Sequence, residues 1–414
     1  MPGLRGGVAL TRVLLFTGKG GAGKTSVAAA TAVRAAAGGS RVLLSSTDAA
    51  HSLADALATR LGDTPRPVAV PGRAAGRLLV QQVDTQSRLE ARWDRVRDYL
   101  ASVLAWGGVG ELAAEELVSF PGLDELFALL DLDDQIDAGH DVIVVDCAPT
   151  AETLKLLSLP DALRWYVDRG LGARRRAARA VAPLTRSLGA SGAPFPVPDD
   201  HVVDDVGHVH RQLASVHALL TDVGRSSVRL VSTPERLALA ETCRTLTTLS
   251  LFGYGIDAVV VNRLLPEAIT DPYLRRWQQR HAAGLDDTRL AVAPMPVLTA
   301  PLLPDEPIGP TALAELGDEL YADATSTDVL HHGAPITVDT DDDLPRLRLR
   351  LPGVTRDEVE LHHHGRDLLI KVAGVRRSVP LPAVLRRREV VGAAVADGIL
   401  TVRFAGVPAT ATGS

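Results

Sequence analysis

The chain has 414 residues, of which 46% are hydrophobic and 23% are charged, a composition that excludes disordered and fibrous proteins and suffices for more than one domain. Its net charge of −6 excludes the strong basic field that is typical of nucleic-acid-binding proteins. No uncharged run reaches the ~18–20 apolar residues of a membrane-spanning helix, so we expect a soluble cytoplasmic protein with no nucleic-acid partner and no stable membrane insertion.

The first 150 residues alternate short apolar runs with helix-like segments, a pattern typical of β-α-β units around a parallel sheet. Further apolar runs follow, and we expect one α/β domain over residues 1–325. An alanine-rich helix is predicted over residues 24–37, where Gly38 and Gly39 end it. Two longer helix-rich stretches, 87–138 and 159–223, predict a helical subdomain inserted into the sheet domain. The predicted strands are residues 13–17, 42–45, 78–80, 142–145, 228–231, 258–261 and 290–292.

The pattern changes near residue 326 to short strands punctuated by proline and glycine. We expect a linker and a first strand over residues 326–343, a small antiparallel β domain over 344–406 and a tail over 407–414. Within that domain, residues 346–351 alternate arginine and leucine, which predicts a strand with one buried face.

Residues 18–25, Gly-Lys-Gly-Gly-Ala-Gly-Lys-Thr, match the phosphate-loop pattern G-x-x-x-x-G-K-[ST] between a predicted strand and a predicted helix. In such a loop, backbone N–H groups surround the phosphates, the Lys24 ammonium reaches the β- and γ-phosphates, and the Thr25 hydroxyl ligates Mg²⁺. The sequence therefore predicts a site for ATP and Mg²⁺, with a chance glycine-rich turn as the alternative. The predicted nucleotide-binding residues of this loop are Gly18, Gly20, Gly21, Ala22, Gly23, Lys24, Thr25 and Ser26.

A second lysine, Lys19, follows the first glycine of the loop, although the chain has 44 basic residues of which only four are lysine. Residues 19–25 therefore resemble the K-G-G-x-G-K-[ST] loop of the deviant phosphate-loop ATPases. That resemblance implies a homodimer formed through the nucleotide face, in which Lys19 crosses to the partner's nucleotide and neutralises charge as an arginine finger does. The alternative is an exposed, solvated lysine.

Three further segments indicate which group of deviant phosphate-loop ATPases the chain resembles. Residues 45–53 are Ser-Ser-Thr-Asp-Ala-Ala-His-Ser-Leu, residues 146–150 are Asp-Cys-Ala-Pro-Thr, and residues 260–262 are Val-Val-Asn. They are similar to switch I, switch II and a later nucleotide-side element of the arsenical-pump and tail-anchored-protein-targeting ATPases. The resemblance implies an α/β P-loop NTPase fold, with a mostly parallel sheet and an inserted helical subdomain.

The same resemblance implies a role for four residues outside the loop. Asp48 would orient or deprotonate the attacking water, although an aspartate there also suits a helix N-cap. Asp146 would hold a Mg²⁺-bound water, or alternatively cap the next turn. Asn262 would hydrogen-bond the adenine, and Glu235 would be a further nucleotide contact.

Two departures from the family pattern bear on turnover. Ala49 stands where the family usually has proline, and Ala151-Glu152 stands where Gly-His is usual. The carboxylates predicted to be catalytic remain, so hydrolysis is expected, while the effect of these departures on turnover is left open.

The resemblance implies a dimeric, ATP-hydrolysing switch that binds and releases a hydrophobic protein client. Two alternatives stay open: a holdase that acts independently of nucleotide through the C-terminal domain, and an ATPase that energises a metalloid pump. Cys147 and Cys243 are the only cysteines and lie far apart in sequence, which argues against a zinc staple and against a thiolate site for arsenite.

Residues 351–354, Leu-Pro-Gly-Val, and 398–402, Gly-Ile-Leu-Thr-Val, lie at opposite ends of the C-terminal region. With the strands between them they resemble the α-crystallin domain of small heat-shock proteins. This implies a small all-β, crystallin-like sandwich. The run His362-His363-His364 is interpreted as a solvated turn rather than a metal site, because consecutive strand residues alternate faces.

Overall fold

The computed structural model describes residues 10–47, 52–72, 76–83, 123–147, 200–322, 324–341, 344–386 and 388–405. The predicted helical subdomain lies largely outside these residues, because only parts of its two stretches, 123–138 and 200–223, are described.

An eight-stranded sheet forms the centre of the first domain, in the order β3-β4-β2-β5-β1-β6-β7-β8. All neighbouring strands are parallel except β3 and β4. The mostly parallel sheet predicted from sequence is thereby confirmed. Its strands are β1 (Arg12–Gly18), β2 (Arg41–Ser46), β3 (Arg66–Val68), β4 (Arg77–Gln82), β5 (Val142–Asp146), β6 (Ser226–Ser232), β7 (Ile256–Leu264) and β8 (Val297–Pro301).

Helices cover both faces of this sheet, which buries the continuous apolar strands on two sides. The strands and these helices together are the α/β domain. Its described helices are α1 (Lys24–Ala37), α2 (Ser52–Ala56), α3 (Leu123–Ile136), α4 (Asp200–Thr221), α5 (Arg236–Leu251), α6 (Pro272–Val292) and α7 (Gly309–Tyr321).

Two local predictions had opposite outcomes. The helix predicted over residues 24–37 is confirmed as α1. The strand predicted over residues 290–292 is wrong, because these residues form the last turn of α6, and the strand begins later as β8. A run of three apolar residues is compatible with either structure, and here the longer helix determines its conformation.

Among the described helices, none combines the length and the apolar character required to cross a membrane.

A buried charged cluster holds the chain after α7 against the sheet. Arg229 on β6 is fully buried and donates to both carboxylate oxygens of Asp257, at 3.0 and 3.2 Å. Arg229 also donates to the hydroxyl of Tyr321 and to the backbone carbonyls of Ser326 and Asp328, at 2.6–2.9 Å. These bonds fix the first residues of the linker to the sheet.

Replacing Arg229 by methionine should lower the free energy of unfolding by about 3–5 kcal/mol, because it leaves a buried carboxylate and two backbone carbonyls without this donor. Chemical denaturation monitored by circular dichroism measures the change. Arg289→Met is the matched control, since Arg289 pairs with Asp286 at the surface, and it should cost less than about 1 kcal/mol. Equal losses in the two variants would contradict the structural role of Arg229.

The β domain consists of two antiparallel sheets, with strand orders β14-β15-β10-β9 and β11-β12-β13. Alternate residues of β10, β12 and β15 are fully buried, among them Leu347, Ile370 and Phe404, and they form the core. The all-β prediction is confirmed. The strands are β9 (Ile336–Asp341), β10 (Leu344–Arg350), β11 (Val359–His364), β12 (Asp367–Val372), β13 (Val375–Pro380), β14 (Val390–Ala396) and β15 (Ile399–Phe404).

The three consecutive histidines, residues 362–364, are exposed as expected but end strand β11 instead of forming a turn. Their pairing with β12 explains the difference, because His362 and His363 lie opposite Leu369 and Leu368 in the ladder. Among the described residues, no group of His, Cys, Asp or Glu is arranged to hold a metal ion.

The β domain packs against the end of the sheet remote from the phosphate loop. The Thr247 hydroxyl near the end of α5 donates to the carbonyl of Pro352 at 3.2 Å. The Arg377 guanidinium lies 4.8 Å from the centre of the Phe252 ring. The two domains therefore share a packed interface.

Candidate nucleotide site

The phosphate loop turns between β1 and α1 at the carboxyl end of the sheet. Gly18 has φ 141°, and a Cβ there would lie 2.1 Å from the carbonyl oxygen of Val231 on β6. Gly21 and Gly23 also have positive φ, at 77° and 87°. These conformations disfavour a side chain, so the glycines of the motif are required by the path of the backbone.

The polar side chains of the loop lie at the first turn of α1. The Lys24 ammonium lies 3.4 Å from the carbonyl oxygen of Lys19. The Thr25 hydroxyl lies 3.2 Å from the Ser52 hydroxyl at the start of α2. Ala22 is buried, whereas Gly20, Gly21 and Lys19 are exposed. The loop thus presents backbone N–H groups, an ammonium and a hydroxyl to one side of a helix N-terminus.

Asp146 closes β5 beside this loop. Its side chain is 1% exposed, and the Ser46 hydroxyl at the end of β2 donates to it at 3.4 Å. In the ladder with β1 it lies opposite Phe16, two residues before the loop begins. With the Thr25 hydroxyl it offers the hard oxygen ligands that Mg²⁺ prefers, so the residues present fit the metal.

Asn262 at the carboxyl end of β7 contacts the loop directly. Its side-chain amide donates to the carbonyl of Ala22 at 2.9 Å, and its amide oxygen accepts from the backbone N–H of Arg263 at the same distance. A Cβ on Gly23 would lie 2.4 Å from the Asn262 amide nitrogen. Asn262 therefore holds the phosphate loop, a contact the sequence analysis missed, and its predicted bond to adenine stays a prediction.

A cavity of about 570 Å³ opens beside the loop, a volume that suits a nucleotide. Gly23, Thr25, Ser26 and Asn262 line one side. The segment from Pro301, the last residue of β8, to Ile308 lines the other, with apolar side chains and the carboxylates of Asp305 and Glu306. The sequence analysis missed this segment, although its position after the last parallel strand is the signal that could have found it, because ligands of such sheets bind at the carboxyl ends of strands.

The predicted contact of Glu235 with the nucleotide stays a prediction. Glu235 is the residue before α5, and its charge opposes the larger effect of burial, which lowers the pKa of His281 on α6. Glu235 does not line the 570 Å³ cavity.

Asp48 lies outside the described residues, as do Ala49 and the switch II residues after Cys147. Its neighbour Thr47 is buried, and the Thr47 backbone N–H donates to the carbonyl of Asp146 at 3.1 Å. Thr47, the last described residue before Asp48, therefore lies next to Asp146, the candidate metal ligand.

A buried polar cluster supports the end of β2 from the neighbouring strand. The Gln81 side chain on β4 is fully buried and donates to Ser45 at 3.2 Å and to the carboxylate of Asp131 on α3 at 2.8 Å. The sequence analysis missed this cluster, because nothing in the local pattern pairs residues from three separate elements.

The cysteines are consistent with structural roles. Cys147 is buried, and burial together with the charge of Asp146 raises the pKa of its thiol. Cys243 lies on α5, half-buried, and burial raises the pKa of its thiol as well. Both thiols are therefore disfavoured as thiolate ligands.

Comparison with known proteins places these features in context. Residues 11–322 match the family described as anion-transporting ATPase, and residues 342–404 match the HSP20-like domain found in ArsA. The chain is 33% identical over 397 residues to a putative arsenical pump-driving ATPase of Prosthecochloris vibrioformis, covering 95% of this chain and 96% of that protein.

Two further relatives are less similar in sequence. Identity is 28% over 381 residues to the arsenical pump-driving ATPase of Escherichia coli, covering 90% of this chain and 58% of that protein. It is 28% over 321 residues to the ATPase get3 of Pyrenophora tritici-repentis, covering 75% of this chain and 91% of that protein.

Proposed function

The chain belongs to the ArsA family of anion-transporting ATPases, and from this premise we propose that it is a dimeric switch that uses ATP hydrolysis to bind and release a hydrophobic protein client. The observation that carries the proposal is the phosphate loop with its second lysine. Lys19 is exposed in a loop that the bond from Asn262 to the Ala22 carbonyl holds in place. An exposed cation at that position suits contact with a second protomer's nucleotide.

Within one protomer, each group of the site has a distinct task. The backbone N–H groups of the loop and the Lys24 ammonium bind and orient the phosphates. Asn262 keeps the loop in the conformation that presents those N–H groups, through its bond to Ala22. Asp48 accepts the proton of the attacking water or orients that water by a hydrogen bond.

Thr25 and Asp146 would hold Mg²⁺, Asp146 through a water molecule. Bound there, the metal supplies positive charge that neutralises the phosphate oxygens. Ser46 orients the Asp146 carboxylate by donating to it.

The carboxyl ends of β2 and β5 are suited to a conformational switch that responds to the nucleotide. The two segments that resemble switch regions begin in the last residues of β2 and β5, which contact one another through Ser46 and Asp146. A γ-phosphate at this edge would bias both segments together, and its hydrolysis would release them. The segment after β5 leads into the predicted helical subdomain, which we infer to hold the client.

Two alternatives have specific support. The HSP20-like domain supports a holdase that binds clients without nucleotide. The names of two relatives, both arsenical pump-driving ATPases, support energising of an arsenical pump. Against the second, the two cysteines have raised pKa values and lie on separate elements, so they offer no soft-metal site between them.

The test uses the full chain carrying Asp48→Asn, with a translated probe protein that has one C-terminal membrane span. We expect capture of the probe to be about tenfold greater with ATP than with ADP, a coupling of ~1.4 kcal/mol. The matched control probe has serines in place of the leucines of the span. Equal capture with ADP would support the holdase instead. Absent capture, together with arsenite-stimulated ATP turnover of the parent chain, would support the pump.

A further inference from the structure

A second cavity, of about 240 Å³, lies between the α/β domain and the β domain. It is far from the phosphate loop, because its walls come from the end of α5, the start of β7 and strands β9 and β10. Most of its lining is apolar, including Leu246, Ile256, Met295 and Leu349, each at most 5% exposed.

Three basic side chains share this cavity: Arg348, Arg350 and His331. The Arg350 guanidinium donates through one nitrogen to the carbonyls of Val292 and Ala293 at the end of α6. Its Nε atom is buried and has no hydrogen-bond partner among the described residues. No carboxylate pairs with Arg350 in the described part of the chain, and burial lowers its pKa.

The neighbouring charged groups do not neutralise the Arg350 guanidinium. Asp339 is shared between Arg346, whose Nε lies 2.7 Å from it, and Arg348, whose Nη1 lies 3.7 Å from it. Burial and the charge of Arg350 lower the pKa of His331, so its imidazole is predominantly neutral near pH 7 and can donate or accept a hydrogen bond. Asp257 raises that pKa by a smaller amount and is already bonded to Arg12 and Arg229.

A partly buried cation without a counter-ion is unfavourable, and an anion that enters the cavity would offset that cost. The apolar walls require that the rest of the ligand be uncharged and hydrocarbon-like. We propose that the cavity between the two domains binds a small organic carboxylate with a short apolar body. Its carboxylate accepts from the Arg350 guanidinium, which lines the cavity. Its hydrocarbon part packs against Leu246, Ile256 and Met295.

Size and position define the ligand further. The cavity volume corresponds to about eight water molecules, hence to about eight non-hydrogen atoms. Because the walls come from both domains, such a ligand binds only while the domains are docked and stabilises that docking. This site does not depend on the ATPase cycle or on a protein client.

Hexanoate, which has the expected size, is the probe, and hexanamide is its neutral counterpart. We expect calorimetric titration of the full chain to show hexanoate binding with a millimolar or lower Kd, and hexanamide binding at least about tenfold weaker. Arg350→Met should weaken hexanoate binding at least about tenfold. Arg366→Met, at an exposed turn of the β domain, is the matched control and should leave the Kd unchanged.

A second variant keeps the test independent of any loss of folding in Arg350→Met. Ala334 is exposed and lines the mouth of the cavity, so Ala334→Trp should block entry while leaving all three basic groups in place. Loss of hexanoate binding in this variant supports the site. Absence of hexanoate binding to the parent chain, equal binding of hexanamide, or undiminished binding to Ala334→Trp would each overturn the proposal.

Discussion

Asp48→Asn should lower ATP turnover by about 10²–10⁴-fold while leaving the Kd for ATP within a few fold of the parent value. The amide keeps the size of the carboxylate but cannot accept the water proton, so the chemical step is lost and phosphate binding is retained. The proposed phosphate-binding loop is held independently of Asp48, because Asn262 bonds to the Ala22 carbonyl and the Thr25 hydroxyl lies 3.2 Å from a serine hydroxyl of α2. Single-turnover hydrolysis and equilibrium binding of ATP measure the two quantities separately.

Asp286→Asn on the exposed side of α6 is the control for this experiment and should not change either quantity. If Asp48 only caps the helix that follows it, the asparagine variant should keep nearly full turnover, because asparagine is an equally good N-cap. Turnover within about threefold of the parent would therefore rule out the proton-accepting role.

The parts of this fold that sequence predicted are those specified by neighbouring residues. Helix α1 begins after Gly23 and ends at Gly38 because alanine favours helix and paired glycines end it. The phosphate loop is predictable for the same reason, since its backbone conformation depends on glycines within one short segment. The period-two alternation of Arg and Leu likewise specifies β10, whose burial alternates residue by residue.

The parts that sequence could not predict depend on contacts between distant residues. Asn262 bonds to Ala22 across 240 positions of chain, and no local pattern contains that pairing. Gln81, Ser45 and Asp131 are brought together only by the order of β2 and β4 in the sheet and the position of α3. The mistaken strand at residues 290–292 has a related cause, because whether a short apolar run continues a helix depends on the segment that precedes it.

Lys19→Ala should lower ATP turnover by about 10³-fold or more, the effect of losing a finger residue that enters another protomer's site. Affinity of the single chain for ATP should change little, because Lys24 and the loop N–H groups remain. Steady-state hydrolysis above the dimerisation concentration and equilibrium binding of ATP provide the two measurements. A solvated lysine with no partner would instead give turnover close to that of the parent, since exposed charges contribute little.

Mixing two inactive variants tests whether Lys19 acts on its own nucleotide or on the partner's. In a dimer of one Lys19→Ala protomer and one Asp48→Asn protomer, the site with an intact Asp48 receives an intact Lys19 only if the lysine crosses the interface. An equimolar mixture should then recover about a quarter of the parent turnover, because half of the dimers are mixed and each has one complete site. If Lys19 acts within its own protomer, every site lacks one of the two groups and no activity returns. The recovered fraction therefore distinguishes a lysine that bridges two protomers from one that belongs to a single site.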